Sequence, residues 1–160
     1  MSITSGKALK RKLLQALMAT VIGGAGILAT AQPAQAAVVI EPGASGHACS
    51  AYQNITSTLY FQACAWASGG STPRVWFTGH FGNRGDRAVT IAEVRLGSFV
   101  NTRRLNCPNI HRNFTVPAGG VKATNDQCYY PRESAAYQAW VWASYGGSGS
   151  EQWSPTIQVL

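Results

Sequence analysis

The sequence has few acidic residues and lacks the local motifs of common hydrolases. Only six Asp and Glu residues occur among 160, and none precedes Glu41. The G-x-S-x-G elbow of serine hydrolases and the H-E-x-x-H motif of metalloproteases are both absent. Two carboxylates could still cleave a glycosidic bond without a local motif, but six carboxylates, mostly expected in turns or on strand faces, offer few pairs. The sequence therefore predicts a protein that is not an enzyme and has no catalytic residues.

The N-terminus has the three parts of a secretory signal peptide. Residues 13–30 form an apolar stretch, and Ala34-Gln35-Ala36 supplies the small-x-small pattern before a cleavage site. The basic residues that precede the apolar stretch are Lys7, Lys10, Arg11 and Lys12. A membrane anchor is the alternative, but glycines weaken the span and a cleavage site follows it. We expect cleavage between Ala36 and Ala37, a signal peptide at residues 1–36 and a secreted, extracellular protein.

The mature chain, residues 37–160, is long enough for a single domain with a modest core. It keeps nine of the 13 basic residues and all six acids, which gives it a net charge of +3. All 16 aromatic residues lie in it. It has no further long apolar run, so no membrane span is expected in the mature protein.

Four cysteines lie in the mature chain, and an even number in an exported protein indicates disulfides. Three pairings are possible, and we favour Cys49–Cys64 and Cys107–Cys128 because a short segment between the members of each pair can fold back as a hairpin. A zinc site is the rival interpretation. No C-x-x-C pair occurs and the three histidines are far apart in sequence. We therefore expect no metal and no cofactor.

Apolar and polar residues alternate with a period of two between turn residues, and no helical stripe is present. Strands are expected at 38–40, 55–67, 75–81, 88–96, 114–116, 121–130, 135–145 and 156–160, with a β-bulge near Ala92. Seven or eight short strands at this spacing predict an all-β fold, an antiparallel Ig-like sandwich with two disulfides.

Two segments carry a resemblance to a known group of proteins. Trp76 follows Cys64 by 12 residues, as in an Ig-like core, but Leu105 and Asp126 stand where the Ig tyrosine is expected two residues before the second cysteine. Phe81-Gly82-Asn83 and the segment at 114–120 resemble small secreted Ig-like proteins of actinobacteria, a group with no assigned activity. The resemblance implies a secreted β-sandwich and assigns no site.

The segments at 61–67 and 137–143 match each other as aromatic-Gln-Ala-x-small-Trp-Ala. If the two strands are neighbours, one sheet face gathers Trp66, Trp140 and Trp142 beside Gln62 and Gln138. An exposed face of this kind offers the stacking and hydrogen bonding that sugars use. The alternative is that these tryptophans form the core, and we favour the core because large aromatic side chains dominate the burial energy of small domains.

A run of basic residues follows Glu93. Its members are Arg95, Arg103, Arg104, Arg112 and Lys122, and no acid intervenes before Asp126. The charges could contact cell-wall polyanions or an acidic partner, although a solvated set of loops is the more ordinary interpretation. Export and a mature charge of only +3 argue against nucleic acid.

These features favour a secreted binding or structural module with a cell-wall polymer, a carbohydrate or a secreted protein as its partner. The tentative binding residues are Trp66, Trp140, Trp142, Arg103, Arg104 and Arg112. The alternative function is a secreted protein-directed effector, such as a protease inhibitor or an antimicrobial protein. Its contact surface would be a rigid loop at residues 101–113.

Overall fold

The described chain is built from β-strands joined by turns. The computed structural model describes residues 36–101, 103–125 and 128–160, apart from the side chains of residues 106, 108 and 109. These residues contain no helix, and therefore none that could cross a membrane. The signal peptide expected at residues 1–36 lies outside them, except for Ala36. All the described residues belong to one compact unit.

Twelve strands occur in the described residues, more than the seven or eight expected. In chain order they are β1 (Val38–Ile40), β2 (Gly46–Cys49), β3 (Gln53–Asn54), β4 (Leu59–Ala67), β5 (Arg74–Asn83), β6 (Val89–Val100), β7 (Arg103–Val116), β8 (Val121–Ala123), β9 (Tyr129–Pro131), β10 (Ala135–Tyr145), β11 (Ser148–Trp153) and β12 (Ile157–Val159).

The strands form two six-stranded sheets. The first sheet has the order β1-β12-β10-β6-β7, and β11 also pairs with β10. The second sheet has the order β2-β4-β5-β8, with β3 beside β4 and β9 beside β5. The pairing of β1 with β12 is parallel, and the other described pairings are antiparallel. The predicted all-β, two-sheet fold is confirmed.

The core lies between the sheets and follows the alternation of β4, β5, β6 and β10. In β4, for example, Phe61, Ala63 and Ala65 are fully buried, while Gln62 and Trp66 on the opposite face are only partly buried. The largest fully buried side chains are Tyr137, Phe61, Phe77, Phe81, Leu59, Ile91, Leu96 and Ile157. Burial of this apolar surface is the main stabilising contribution.

Several strand expectations were wrong in detail. Residues 103–116 form one long strand where a loop with a short final strand was expected, and residues 121–130 contain two strands instead of one. The register is unbroken on both sides of Ala92, although the burial alternation slips between Ile91 and Val94 and Asn113 of β7 has a positive φ. The irregularity lies between Arg95 and Gly97, opposite two extra residues of β7. Strand β7 was not predicted because its polar composition shows no alternation, and β8 and β9 were predicted as one strand because the turn residues between them were not recognised.

Both disulfides have the favoured pairing. Cys49–Cys64 joins directly opposed residues of β2 and β4 within the second sheet. Cys107–Cys128 joins β7 of the first sheet to the residue before β9 of the second. The second bridge therefore links the two sheets covalently at the irregular part of β7.

Candidate functional site

The structure separates the three tryptophans that the sequence placed on one face. Trp66 lies on β4 of the second sheet, whereas Trp140 and Trp142 lie on β10 of the first. Strands β4 and β10 are therefore not neighbours in a sheet but face each other across the core. The condition for one shared face, that the two strands are neighbours, is not met because the two matching segments belong to different sheets.

The expectation that these tryptophans form the core was wrong for Trp66 and Trp142, whereas Trp140 is buried as expected. Trp66 and Trp142 are half-buried on the outer faces of their sheets. Trp140 is only 6% exposed, but its indole lies outside the inter-sheet cluster and is covered by Arg104. Phenylalanine, tyrosine and small aliphatic side chains fill the space between the sheets instead.

The outer face of the second sheet carries four aromatic side chains in one line. The strand register places His47 opposite Trp66, Trp66 opposite Trp76 and Trp76 opposite Tyr129, on β2, β4, β5 and β9. We call these four residues the aromatic row. The two indole rings are nearly parallel with centroids 5.9 Å apart, and the imidazole of His47 stacks on Trp66 at 4.4 Å. Neighbouring strands lie about 4.8 Å apart, so the row extends over roughly 14 Å.

Polar groups lie directly beside the aromatic row. The indole N–H of Trp66 donates to the Thr78 hydroxyl at 2.9 Å, and Nε2 of His80 lies 3.0 Å from the same oxygen. Burial lowers the pKa of His80 below its ordinary value of 6.5. A neutral imidazole can accept the Thr78 hydrogen at Nε2, which leaves its N–H at Nδ1. Gln62 pairs with His80 in register, and its amide forms no hydrogen bond within the described part of the chain.

The row ends in open clefts at the β4–β5 connection. Tyr129 is 57% exposed, and the guanidinium of Arg74 lies 5.5 Å from the centre of its ring. One cleft of about 380 Å³ is lined by Ser68, Gly69, Thr72, Arg74 and Trp76. A second, of about 560 Å³, includes Tyr129, Arg74 and Pro131 in its walls. The aromatic surface therefore continues into space that a ligand can occupy.

The outer face of the first sheet has a different chemistry. The guanidinium of Arg104 lies 4.1 Å from the centre of the Trp140 ring, and that of Arg95 lies 5.1 Å from the centre of Trp142. Trp153 lies beside Trp140 and donates its indole N–H to Glu151 at 2.8 Å. We call the five residues Arg95, Arg104, Trp140, Trp142 and Trp153 the arginine–tryptophan face.

The structure brings only some of the predicted arginines together. Arg104 and Arg112 both lie on the outer side of β7, whereas Arg103 points to the other side of the strand by alternation. The charges are also less isolated than expected from the sequence. Glu93 forms ion pairs with Arg95 and, at 3.7 Å, with Arg112.

The described residues provide little support for a protruding inhibitory loop. Residues 103–116, which contain most of the expected loop, form β7 and pair with β6 over most of their length. In the part of the chain that the structure describes, no group of three His, Cys, Asp or Glu residues is placed to hold a metal ion.

The two matching segments occupy equivalent positions in the two sheets. The hydroxyl of Ser50 accepts from the Ala63 N–H at 3.0 Å, and that of Ser154 accepts from the Ala139 N–H at 2.8 Å. The backbone N–H of each serine donates to the carbonyl of the same alanine. The sequence match at 61–67 and 137–143 therefore corresponds to a repeated strand environment.

This equivalence shows how the two faces differ. Trp66 and Trp142 correspond, but Trp66 is flanked by His47 and Trp76, while Trp142 is flanked by Glu151 and Arg95. One face thus has aromatic rings on both sides of its central tryptophan, and the other has a carboxylate and a guanidinium.

Three members of the aromatic row, His47, Trp76 and Tyr129, were missing from the sequence-based candidates. The signal for Trp76 was available, because it alternates outward on a strand that follows β4 after a short connection. The positions of β2 and β9 had no such local signal. Comparison with protein-family models, curated proteins and solved structures finds no match to this chain.

Proposed function

We propose that the protein is a secreted carbohydrate-binding module whose ligand lies across the aromatic row. The observation that carries the proposal is the in-register line of His47, Trp66, Trp76 and Tyr129 on the outer face of the second sheet. The C–H face of a sugar ring is apolar and packs on aromatic rings, while its hydroxyl groups need hydrogen-bond partners. The row supplies the rings and extends far enough for more than one sugar unit.

The polar neighbours support the same ligand. His80 and Gln62 lie beside the row, and the Gln62 amide has both a donor and an acceptor left for a ligand. Because Thr78 fixes both the Trp66 indole and the His80 imidazole, these groups are already oriented before binding. A pre-oriented site loses less conformational entropy when it binds.

Binding without catalysis fits the composition of the site. Glycosidic hydrolysis by the usual route requires two carboxyl groups that flank the bond. The aromatic row and its neighbours Thr78, His80 and Gln62 contain none. We therefore propose a binding protein and not an enzyme.

Secretion is part of the proposal. Two disulfides are consistent with an extracellular protein. The signal-peptide pattern at residues 1–36 supports export, with Ala37 as the first mature residue. Cell-wall or other extracellular polysaccharide is the ligand class that this location favours.

We also propose that the sandwich is Ig-like and related to the secreted actinobacterial proteins that its turn segments resemble. Tyr137 supports the Ig-like assignment. It is buried near the start of β10, and its hydroxyl bonds the backbone of Glu133 four residues upstream. A tyrosine corner in Ig-like sandwiches has this arrangement.

Retention of the secreted protein on insoluble polysaccharide tests the function. Cellulose, chitin and insoluble starch, all neutral, serve as probes, and Trp76→Ala is the test variant. Loss of a ring that the ligand covers costs about 1.5–3 kcal/mol, so affinity should fall on the order of tenfold or more.

Trp142→Ala is the matched control, because Trp142 is also half-buried on an outer face but belongs to the first sheet. It should retain affinity within about twofold. Two results would reject the proposal. One is an equal loss of retention in both variants, and the other is no retention of the unmodified protein on any of the three probes.

A further inference from the structure

A pocket opens on the first sheet where β7 departs from regular pairing with β6. Arg95 pairs with Ile110, but Gly97 pairs with residue 106, so β7 has two extra residues at this point. Such irregularities bend a strand and redirect its side chains. The resulting pocket of about 390 Å³ is lined by Arg95, Leu96, Arg104, Cys107, Ile110 and Trp140.

Two guanidinium groups flank this pocket, and only one of them forms an ion pair among the described residues. Arg95 is paired with Glu93. Arg104 forms no ion pair among the described residues, and the ring of Trp140 holds its guanidinium at 4.1 Å. A guanidinium fixed by an aromatic ring keeps its N–H donors available in a planar fork, which matches a carboxylate or phosphate.

Trp140 adds a donor that lacks a partner. Its indole N–H is buried and makes no hydrogen bond within the described part of the chain. Buried polar groups are nearly always hydrogen-bonded, so this unpaired N–H marks an unusual polar environment in the pocket wall. The N–H itself is inaccessible, so the contact proposed for a ligand is the guanidinium of Arg104.

A covalent bridge and a close packing contact hold the walls of the pocket. Cys107, in the pocket wall, is bonded to Cys128 of the other sheet, and the ring of Trp140 lies against Gly97, where a Cβ would come within 2.6 Å of it. The glycine therefore creates the space in which the indole lies flat on β6.

We propose that this pocket binds the oxyanion group of an acidic polysaccharide, with Arg104 as its main contact. The site is separate from the aromatic row and lies on the opposite outer face of the sandwich. The inference goes beyond neutral carbohydrate binding and does not depend on it. A carboxylate and a phosphate share the required chemistry, and the experiment distinguishes them.

Isothermal titration at low ionic strength tests the proposal with galacturonate trimer, its neutral methyl ester and glucose 6-phosphate as probes. The acidic trimer should bind at least tenfold more tightly than the ester, because only the acid pairs with the guanidinium. Tighter binding of glucose 6-phosphate than of the trimer would also support the pocket and would identify phosphate as the group it accepts.

Arg104→Gln should weaken binding of the acidic probe at least tenfold, and Arg104→Lys should weaken it less. Arg84→Gln is the matched control. It removes the same charge from an arginine that lies 4.2 Å from the centre of an aromatic ring, Tyr60, on the other sheet. It should leave binding within twofold, as should Trp76→Ala.

Equal losses in Arg104→Gln and Arg84→Gln would overturn the proposal in favour of general charge attraction. Equal binding of the acid and the ester, or no binding of any probe, would overturn it as well. Failure of the neutral polysaccharide assay would leave these results unaffected, because the two experiments use different residues and probes.

Discussion

At the scale of single residues, His80 connects the aromatic row to the stability of the second sheet. Small side chains in the middle of the face, Cys64 and Thr78, leave room for its imidazole to stack within 6.1 Å of Trp66. Thr78 is 94% buried, and it couples the two rings through its hydroxyl. Protonation of His80 would replace its acceptor at Nε2 with a donor and disturb this contact.

The pH dependence of stability tests this environment. Burial lowers the pKa of His80, and burial together with the charge of Lys122 lowers that of His111. The unfolded chain, with histidine pKa values near 6.5, therefore binds more protons than the folded chain as the pH falls. We predict that the free energy of unfolding is constant above this value and decreases below it.

Urea denaturation between pH 8 and pH 5 measures the change in the free energy of unfolding. This range extends more than about one pH unit to either side of an ordinary histidine pKa. The His80→Gln/His111→Gln double variant should lose most of the decrease, whereas His47→Gln, exposed on the same sheet, should keep it. A decrease that is unchanged in the double variant would show that other groups cause it.

At the scale of strands, the sequence predicted the regular elements and missed the irregular ones. Strands β4, β5 and β10 alternate because one face of each packs in the core, and β6 alternates on either side of a slip between Ile91 and Val94. Strand β7 has polar residues on both sides and a proline, so no period was visible in it. Strand β11 was also missed, although Gly146 and Gly147, both with positive φ, mark a two-residue turn after β10.

The candidate site was harder to predict because it depends on which strands meet. Local alternation placed Gln62 and Trp66 on one face of β4, and this is correct. It could not show that the similar segment at 137–143 belongs to the other sheet. Long-range strand pairing determines whether two strands are neighbours in one sheet or face each other from different sheets. Local periodicity in the sequence gives no information on that pairing.

Removal of either disulfide should lower the stability of the protein by a similar amount, but only removal of Cys107–Cys128 should also weaken ligand binding. They join residues 15 and 21 positions apart, so removal of either should cost about 3 kcal/mol by the loop-entropy argument. Cys107→Ala/Cys128→Ala should also weaken binding of the acidic probe, because Cys107 lines the pocket on the first sheet. Chemical denaturation and titration of the same samples provide both measurements.

Cys49→Ala/Cys64→Ala is the control for this prediction, since that bridge lies within the second sheet. It should lose similar stability and keep its affinity for the acidic probe. Equal losses of affinity in the two variants would mean that the inter-sheet bridge has no special relation to the pocket.

At the scale of the whole molecule, the sandwich presents two chemically different outer faces on a repeated framework. Ser50 and Ser154 fix equivalent strand pairs, and the side chains around Trp66 and Trp142 then differ in charge. We propose that the same domain binds a neutral polysaccharide on the aromatic row and an oxyanion group in the pocket of the first sheet. The proposed function places neutral carbohydrate on the aromatic row.

Nuclear magnetic resonance of the indole N–H groups tests that claim most directly. The protein has five tryptophans, two in the aromatic row and three on the arginine–tryptophan face, so each signal reports on one face. The probe is a soluble neutral oligosaccharide of the polysaccharide that retains the protein. Titration should shift the signals of Trp66 and Trp76 and leave those of Trp140, Trp142 and Trp153 in place. Shifts confined to the latter three would contradict the account.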